Sequence, residues 1–179
     1  MSGIPPGYEV GHAHRHELSK LAAIEIAAAA IFPPEDLTPE ARAEADPASF
    51  FDEAFSAGRL WVTRSLDPPA PVGFAAAVVL DGSAHLQEMD VLPEHGRQGL
   101  GRELVVQVAS WARTTSFASL TLTTFRHLPW NAPFYSSLGF LEVSDDDLSP
   151  ELRAALASEV ADGLDPTKRV AMRLELIAT

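Results

Sequence analysis

Apolar and polar positions along the chain fall into short blocks, and the spacing within each block predicts an element. Tyr8 to Ala13 alternates and predicts a first strand. Leu18, Leu21, Ile24, Ala28 and Ile31 recur at three- to four-residue steps, so Glu17 to Ile31 predicts an amphipathic helix ended by Pro33-Pro34. The segment to Pro47 is polar and proline-rich, a loop with one short helix. Ser49 to Ala57 predicts a second helix, stopped by Gly58. Leu60 to Ser65 predicts a strand, and Asp67-Pro68-Pro69 a turn. Pro71 to Leu80 is an apolar strand closed by Asp81-Gly82, a two-residue hairpin signal, and its partner runs from Ala84 to Val91.

A helix from Gly99 to about Thr114 follows, with Leu100, Leu104, Val105, Val108 and Trp111 on its apolar face. Leu120 to Phe125 predicts a β-branched strand. Asn131 caps a short helix with Pro133 in its first turn and Gly139 as its stop. Phe134, Leu138 and Phe140 are expected in the core. Phe140 to Val143 predicts a short strand. Asp145-Asp146-Asp147 opens an extra helix from Pro150 to about Val160, and Val170 to Leu176 closes the sheet. An antiparallel meander followed by a strand–helix–strand unit predicts a mixed α/β sheet. No repeat or linker interrupts it, so residues 1–179 are expected to form one domain.

Composition narrows the function classes. Hydrophobic residues at 46% and charged residues at 21% are ordinary for a soluble globular chain. The chain has no cysteine, which removes a disulfide framework and a thiol nucleophile. No apolar run approaches a membrane span, because the Ala-rich stretch Leu21 to Phe32 is short and contains Glu25. The first six residues show neither a basic nor an apolar leader region, so a cytoplasmic enzyme without a membrane partner is expected. The net charge of −12 argues against nucleic acid and favours a cationic partner through steering. Acidity that serves only to keep the protein in solution is the other reading.

The segment with most chemical content is Val91-Leu92-Pro93-Glu94-His95-Gly96-Arg97-Gln98-Gly99-Leu100-Gly101-Arg102. A Gly-rich loop that feeds a helix N-terminus is an anion site, and a pyrophosphate suits it. The order Gly96-x-x-Gly99-x-Gly101 reverses the dinucleotide fingerprint, and no Gly-Lys-Ser/Thr follows. The alternative is a tight strand-to-helix turn. Downstream, Pro129-Trp130-Asn131-Ala132-Pro133-Phe134-Tyr135 through Gly139-Phe140 forms a second motif.

With these two motifs in this order, the chain resembles the GNAT superfamily of acetyl-CoA-dependent N-acetyltransferases from about Tyr8 to Leu176. The resemblance implies a mixed, mostly antiparallel central sheet flanked by helices. Its fourth and fifth strands, ending at Val91 and Phe125, splay apart for the pantetheine arm. It implies that backbone N–H groups of Gly96, Arg97, Gln98, Gly99, Leu100, Gly101 and Arg102 cradle the pyrophosphate. Arg97 and Arg102 would add charge and Gln98 a hydrogen bond. The family usually has Gln or Arg where this chain has Gly96, so the basic residue sits one place later. Met89, Asp90 and Val91 would pair with pantetheine, with the Val91 N–H on the thioester carbonyl.

The resemblance also implies roles for side chains. Glu88 is the candidate base for the amine proton, with Asp90 and His85 as weaker rivals. Glu88 and Asp90 share a face by alternation, and Met89 points the other way. Tyr135 is the candidate acid toward the CoA thiolate. Asn131, four residues earlier on the same helix face, would bond the pantetheine amides or the loop. His127, near Trp130, could touch the acceptor. His12, His14 and His16 suggest a metal by spacing, but the family needs none and no carboxylate cluster of ligand spacing stands nearby; an exposed strand end is expected, with no metal.

The segment Glu35 to Glu53 carries seven acids and one base, so a cationic small-molecule or peptide amine is expected as acceptor. A solvent-facing acidic connection is the other reading. Many family members dimerise, so a homodimer is a further expectation. Two functional readings compete with direct acetyl transfer in a ternary complex. One is a non-catalytic acyl-CoA-binding regulatory module, and the other is the same fold with a different acyl donor or an alcohol acceptor.

Overall fold

The computed structural model describes residues 3–176. They fold as a mixed α/β structure around a seven-stranded sheet. In chain order the elements are β1 (Tyr8–His12), α1 (Leu18–Ala29), α2 (Pro39–Arg42), α3 (Ala48–Ser56), β2 (Leu60–Leu66), β3 (Pro69–Leu80) and β4 (Ser83–Val91). Then come α4 (Leu100–Thr114), β5 (Ser119–Phe125), α5 (Ala132–Ser137), β6 (Leu141–Glu142), α6 (Pro150–Ala161) and β7 (Arg169–Glu175). The strand order is β1-β2-β3-β4-β5-β7-β6. β4 and β5 run parallel, and the other described ladders are antiparallel. Among the described residues the β4–β5 ladder pairs Ala84 with Leu120 and His85 with Thr121.

Two compact units divide the chain: residues 3–78 with 88–110, and 79–87 with 111–176. β4 contributes to both. In the first unit, α1 buries Leu21, Ile24 and Ala28, one apolar stripe at helical spacing. These join Phe51 and Ala54 of α3 and Leu60, Val62, Phe74 and Ala76 of the sheet in one core. Phe51 meets the Phe74 ring edge-on at 5.4 Å. The helix ends earlier than its pattern predicts. Ile31 lies beyond it and is 46% exposed, because the chain turns toward Pro33 before another apolar position can reach the core.

A buried ion pair holds the β1–α1 corner. Arg64 donates from Nε to Glu17 Oε1 at 2.6 Å and from Nη2 to Glu17 Oε2 at 2.7 Å. Burial alone would raise the Glu17 carboxyl, but the Arg64 hydrogen bonds, the His14 backbone N–H and nearby positive charge hold it below its ordinary value.

The second unit buries Leu120, Leu122, Val170, Met172, Phe140 and Leu152. Asp81 and Gly82 both have positive φ, 48° and 72°, as a two-residue hairpin turn requires. The extra helix α6 is fastened to this unit at both ends. Asp81 and Glu151 exchange side chain–backbone hydrogen bonds, and Glu159 binds Thr123 and Arg169. The Asp145–Asp147 run forms a separate 3₁₀ turn before α6 rather than its first turn.

Three expected core positions sit nearer the surface. Trp111 is half-buried against Phe117, and Phe134 on α5 and Leu138 just past its end are half-buried. Each lies toward the rim of its helix's apolar stripe, where the neighbouring Ala112, Ala132 and Tyr135 take the buried places. Among the described residues no helix is long and apolar enough to cross a membrane.

Candidate active site

The first unit carries the glycine loop and the acids around Glu88. At the end of β4, Leu92 donates its backbone N–H to the Val72 carbonyl of β3 at 2.8 Å. The Asp90 carbonyl also faces β3, since a Cβ built on Gly73 would lie 2.7 Å from it. Backbone groups of successive strand residues point to opposite sides. The Val91 N–H therefore points away from β3.

The chain then makes a 3₁₀ turn over Pro93–His95. The Tyr8 hydroxyl meets His95 Nδ1 at 2.8 Å and fixes this turn to β1. Arg97 and Gly99 follow at φ 60° and 90°, two left-handed residues flanking Gln98. A Cβ on Gly99 would meet nothing within 4 Å, so backbone conformation rather than space calls for glycine there. Leu100 is buried and anchors the start of α4, while Arg97, Gln98 and Arg102 are exposed. Glu103 N–H donates to the Gly99 carbonyl at 3.1 Å. The N–H groups of Leu100, Gly101 and Arg102 thus precede the first intrahelical bond. With the helix dipole they present positive potential beside two arginines, a donor set suited to a pyrophosphate.

Four carboxyls gather in the same unit. Oxygens of Glu25 on α1, Asp46 before α3 and Glu88 on β4 lie within 4.8 Å of one another. The Asp46 backbone N–H donates to both Glu25 oxygens, at 3.1 and 3.0 Å. Asp90 interacts with Glu88, so both carboxyls lie on one face of β4 as alternation predicts. Asp90 Oδ2 is sealed from solvent, and the Asp90 side chain hydrogen-bonds Glu88. Burial pushes the Glu25 carboxyl up to about 7 and raises Asp46 as well. Burial also pushes Asp90 well above the carboxylate range, and the charges of Glu88, Glu25 and Asp46 push the same way. Glu25 and Asp46 escape a sequence reading because they come from distant segments. The signal for Glu25 is a lone charge inside an Ala-rich helix.

The second unit carries Tyr135, Asn131 and His85. Tyr135 is 7% exposed, edge-on to the rings of Phe134 and Phe140. Its N–H donates to the Asn131 carbonyl at 3.0 Å, which sets the two residues one helical turn apart. Asn131 occupies the cap position of α5, but its side chain makes no capping bond. Instead its Nδ2 donates to Thr124 Oγ1 at 2.8 Å, and its Oδ1 is buried without a hydrogen-bond partner.

His85, a weaker rival as base, is buried. Burial lowers it to about 4, against a smaller opposite pull from Glu159. Its Nδ1 meets Thr121 Oγ1 at 2.8 Å, and that hydroxyl donates to the Ala84 carbonyl. Thr121 thus accepts from His85, which fixes a neutral Nδ1–H tautomer. His127 stands edge-on to Phe125 at 6.2 Å.

The histidine run does not line a strand face, because β1 stops at His12. His14 and His16 stack at 5.5 Å in the turn beyond it. Glu17 joins them with ligand atoms within 4.8 Å, a single carboxylate and not a cluster of them. Both Glu17 oxygens are already engaged by Arg64.

Comparison with known proteins identifies the family and the fold. A model of the acetyltransferase (GNAT) family matches residues 23–140. The ribosomal-protein-S18-alanine N-acetyltransferase from Escherichia coli superposes with TM-score 0.67 at 19% identity, covering 96% of both chains. Rv2747 from Mycobacterium tuberculosis, solved with CoA, gives 0.66 at 20% identity over 94% of this chain and 99% of its own. A GNAT-family acetyltransferase from Staphylococcus aureus gives 0.69 at 15% identity over 95% and 99%. These likenesses carry the fold, and the family match covers both the glycine loop and the Asn131–Tyr135 helix. The chain belongs to the GNAT family of acetyltransferases.

Proposed function

We propose that the protein is an N-acetyltransferase that moves an acetyl group from acetyl-CoA to a primary, cationic amine in a ternary complex. The observation that carries this reading is the loop Gly96–Arg102. Its left-handed Arg97 and Gly99 turn the chain so that three N–H groups of α4 precede the first helical bond. Acetyl-CoA supplies an activated thioester carbonyl.

The chain's own residues do the rest. Backbone N–H groups from Gly96 to Arg102 hold the pyrophosphate, with charge from Arg97 and Arg102. The Val91 N–H, which β3 does not use, donates to the thioester oxygen as charge develops there. Glu88 takes the proton from the incoming ammonium, since only the neutral amine attacks. The new C–N bond forms as the C–S bond breaks. Tyr135 gives its hydroxyl proton to the departing thiolate, and the second proton lost from the nitrogen restores that hydroxyl. Asn131 bonds the pantetheine amides. The absence of cysteine supports direct transfer over a cysteinyl acyl-enzyme.

The test is thiol release from acetyl-CoA across an amine panel, with Glu88→Gln and Tyr135→Phe beside the wild type. Loss of a positioned acid or base costs roughly 10²–10⁴-fold in rate. Acetyl-CoA binding without turnover on any amine would instead support a regulatory binding module.

A further inference from the structure

The end of β5 lies next to Asn131 and Tyr135, and the extra helix α6 grips it from the other face. Among the described residues the β4–β5 ladder stops at His85 and Thr121, while Thr123, Thr124 and Phe125 pair with Ala171, Val170 and Arg169 of β7. Side chains alternate along this end. Thr124 Oγ1 accepts from Asn131 Nδ2 at 2.8 Å, one helical turn before Tyr135. Thr123 and Phe125 present the opposite face. The Thr123 hydroxyl donates to Glu159 of α6, and the Arg169 guanidinium lies over the Phe125 ring at 4.5 Å. Glu159 in turn accepts from Arg169 Nε and Nη2 on its two oxygens, at 2.8 Å each.

Stability alone does not call for this clasp. Glu159 lies in the last turn of α6, where the helix dipole disfavours a carboxylate. The ion pair is largely buried, and such a pair is often no more stabilising than apolar residues of the same volume. A bidentate pair does supply one fixed geometry. α6 buries Leu152 near its start, and Glu159 is the tie at its other end. We infer that Glu159 is a positioning residue for acetyl transfer: through Thr123 and Arg169 it fixes the end of β5, and with it the places of Asn131 and Tyr135. A displacement of such groups by about 1 Å costs about 10²-fold in rate. The glycine loop belongs to the first unit, so the effect falls on kcat and not on acetyl-CoA affinity.

This inference rests on the acetyltransferase reading for its kinetic arm alone. The main variant replaces both partners with apolar residues, Glu159→Leu with Arg169→Met, and is expected to melt near the wild type. Glu159→Gln, which keeps an acceptor for Thr123, is read beside it. Asn131 is the only asparagine in the chain, so nitrogen-15 asparagine labelling gives a single side-chain amide in NMR spectra. Its resonances are expected to shift and its hydrogen exchange to quicken in both variants as the Thr124 hydrogen bond loosens. In thiol-release assays kcat is expected to fall at least about tenfold, with acetyl-CoA affinity within about twofold of the wild type. An Asn131 amide like that of the wild type, a wild-type kcat in the folded variants, or a loss confined to acetyl-CoA affinity would overturn the inference and leave Glu159 a clasp of the fold. If the wild type turns over no amine, the acetyltransferase reading falls, and the Asn131 amide alone decides.

Discussion

The Tyr8 hydroxyl and His95 Nδ1 lie 2.8 Å apart and join the first strand to the turn that enters the glycine loop. Their rings also meet edge-on at 5.7 Å. A loop that binds through backbone N–H groups needs its path fixed by something other than its own exposed side chains. This pair supplies that restraint from a residue 87 positions away.

Tyr8→Phe keeps the ring contact and removes the hydrogen bond. The expected cost is about 1 kcal/mol of stability. Acetyl-CoA affinity should weaken by roughly the same free energy, up to about tenfold. Melting curves and calorimetry on the same preparation check both effects. Unchanged affinity beside a lowered melting temperature would show that the pair braces the fold and not the loop.

At Gly73, β3 approaches β4 too closely for a Cβ. An added Cβ would stand 2.7 Å from the Asp90 carbonyl oxygen and 2.8 Å from Thr63 Oγ1. The Asp90 carbonyl is backbone and cannot yield without moving the strand that carries Glu88 and Val91. Gly73→Ala should cost about 1–3 kcal/mol by overpacking. It should also reduce kcat in proportion to the displacement of β4. A variant that melts like the wild type would show that the strands separate freely.

Glu25 gives a pH signature with a defined sign. Its folded carboxyl is raised from 4.5 to about 7. The folded state therefore binds more protons than the unfolded state between those values, and stability from this group falls as pH rises through them. Glu25→Gln removes the ionisation and keeps an acceptor for the Asp46 N–H. The variant should gain on the wild type between pH 4.5 and 7 and hold that gain above. Discounted for partial exposure, the gain is about 1 kcal/mol, or roughly 2–4 °C. His85, lowered to about 4, contributes the opposite slope in both proteins and cancels from the difference.

Local pattern made most of the architecture legible. Alternation from Tyr8, the Asp81-Gly82 turn and the 3.6-residue stripe of α4 each reflect one segment choosing its own conformation. The glycine loop's path was legible for the same reason, because it lies in consecutive backbone groups. Asn131 shows where this stops. Its type predicts a side-chain cap, but a hydroxyl seven residues earlier, Thr124 Oγ1, takes its amide. The carboxyl nest was illegible, since Glu25, Asp46 and Glu88 belong to three segments that only the tertiary fold brings together. Burial, which raises the Glu25 carboxyl, leaves no mark on local spacing.

Calorimetric titration with acetyl-CoA, wild type beside Gly99→Asp, bears most directly on the loop. The variant sets a carboxylate beside the pyrophosphate and a side chain at φ 90°, in a place where no neighbouring atom lies within 4 Å of the new Cβ. The new Cβ meets no clash, so the variant should fold at a backbone strain of about 1–3 kcal/mol and fail to bind. Micromolar binding by the wild type that the folded variant lacks is the predicted result. A folded wild type that binds no acetyl-CoA would contradict it, and the segment Gly96–Arg102 would be a strand-to-helix turn and nothing more.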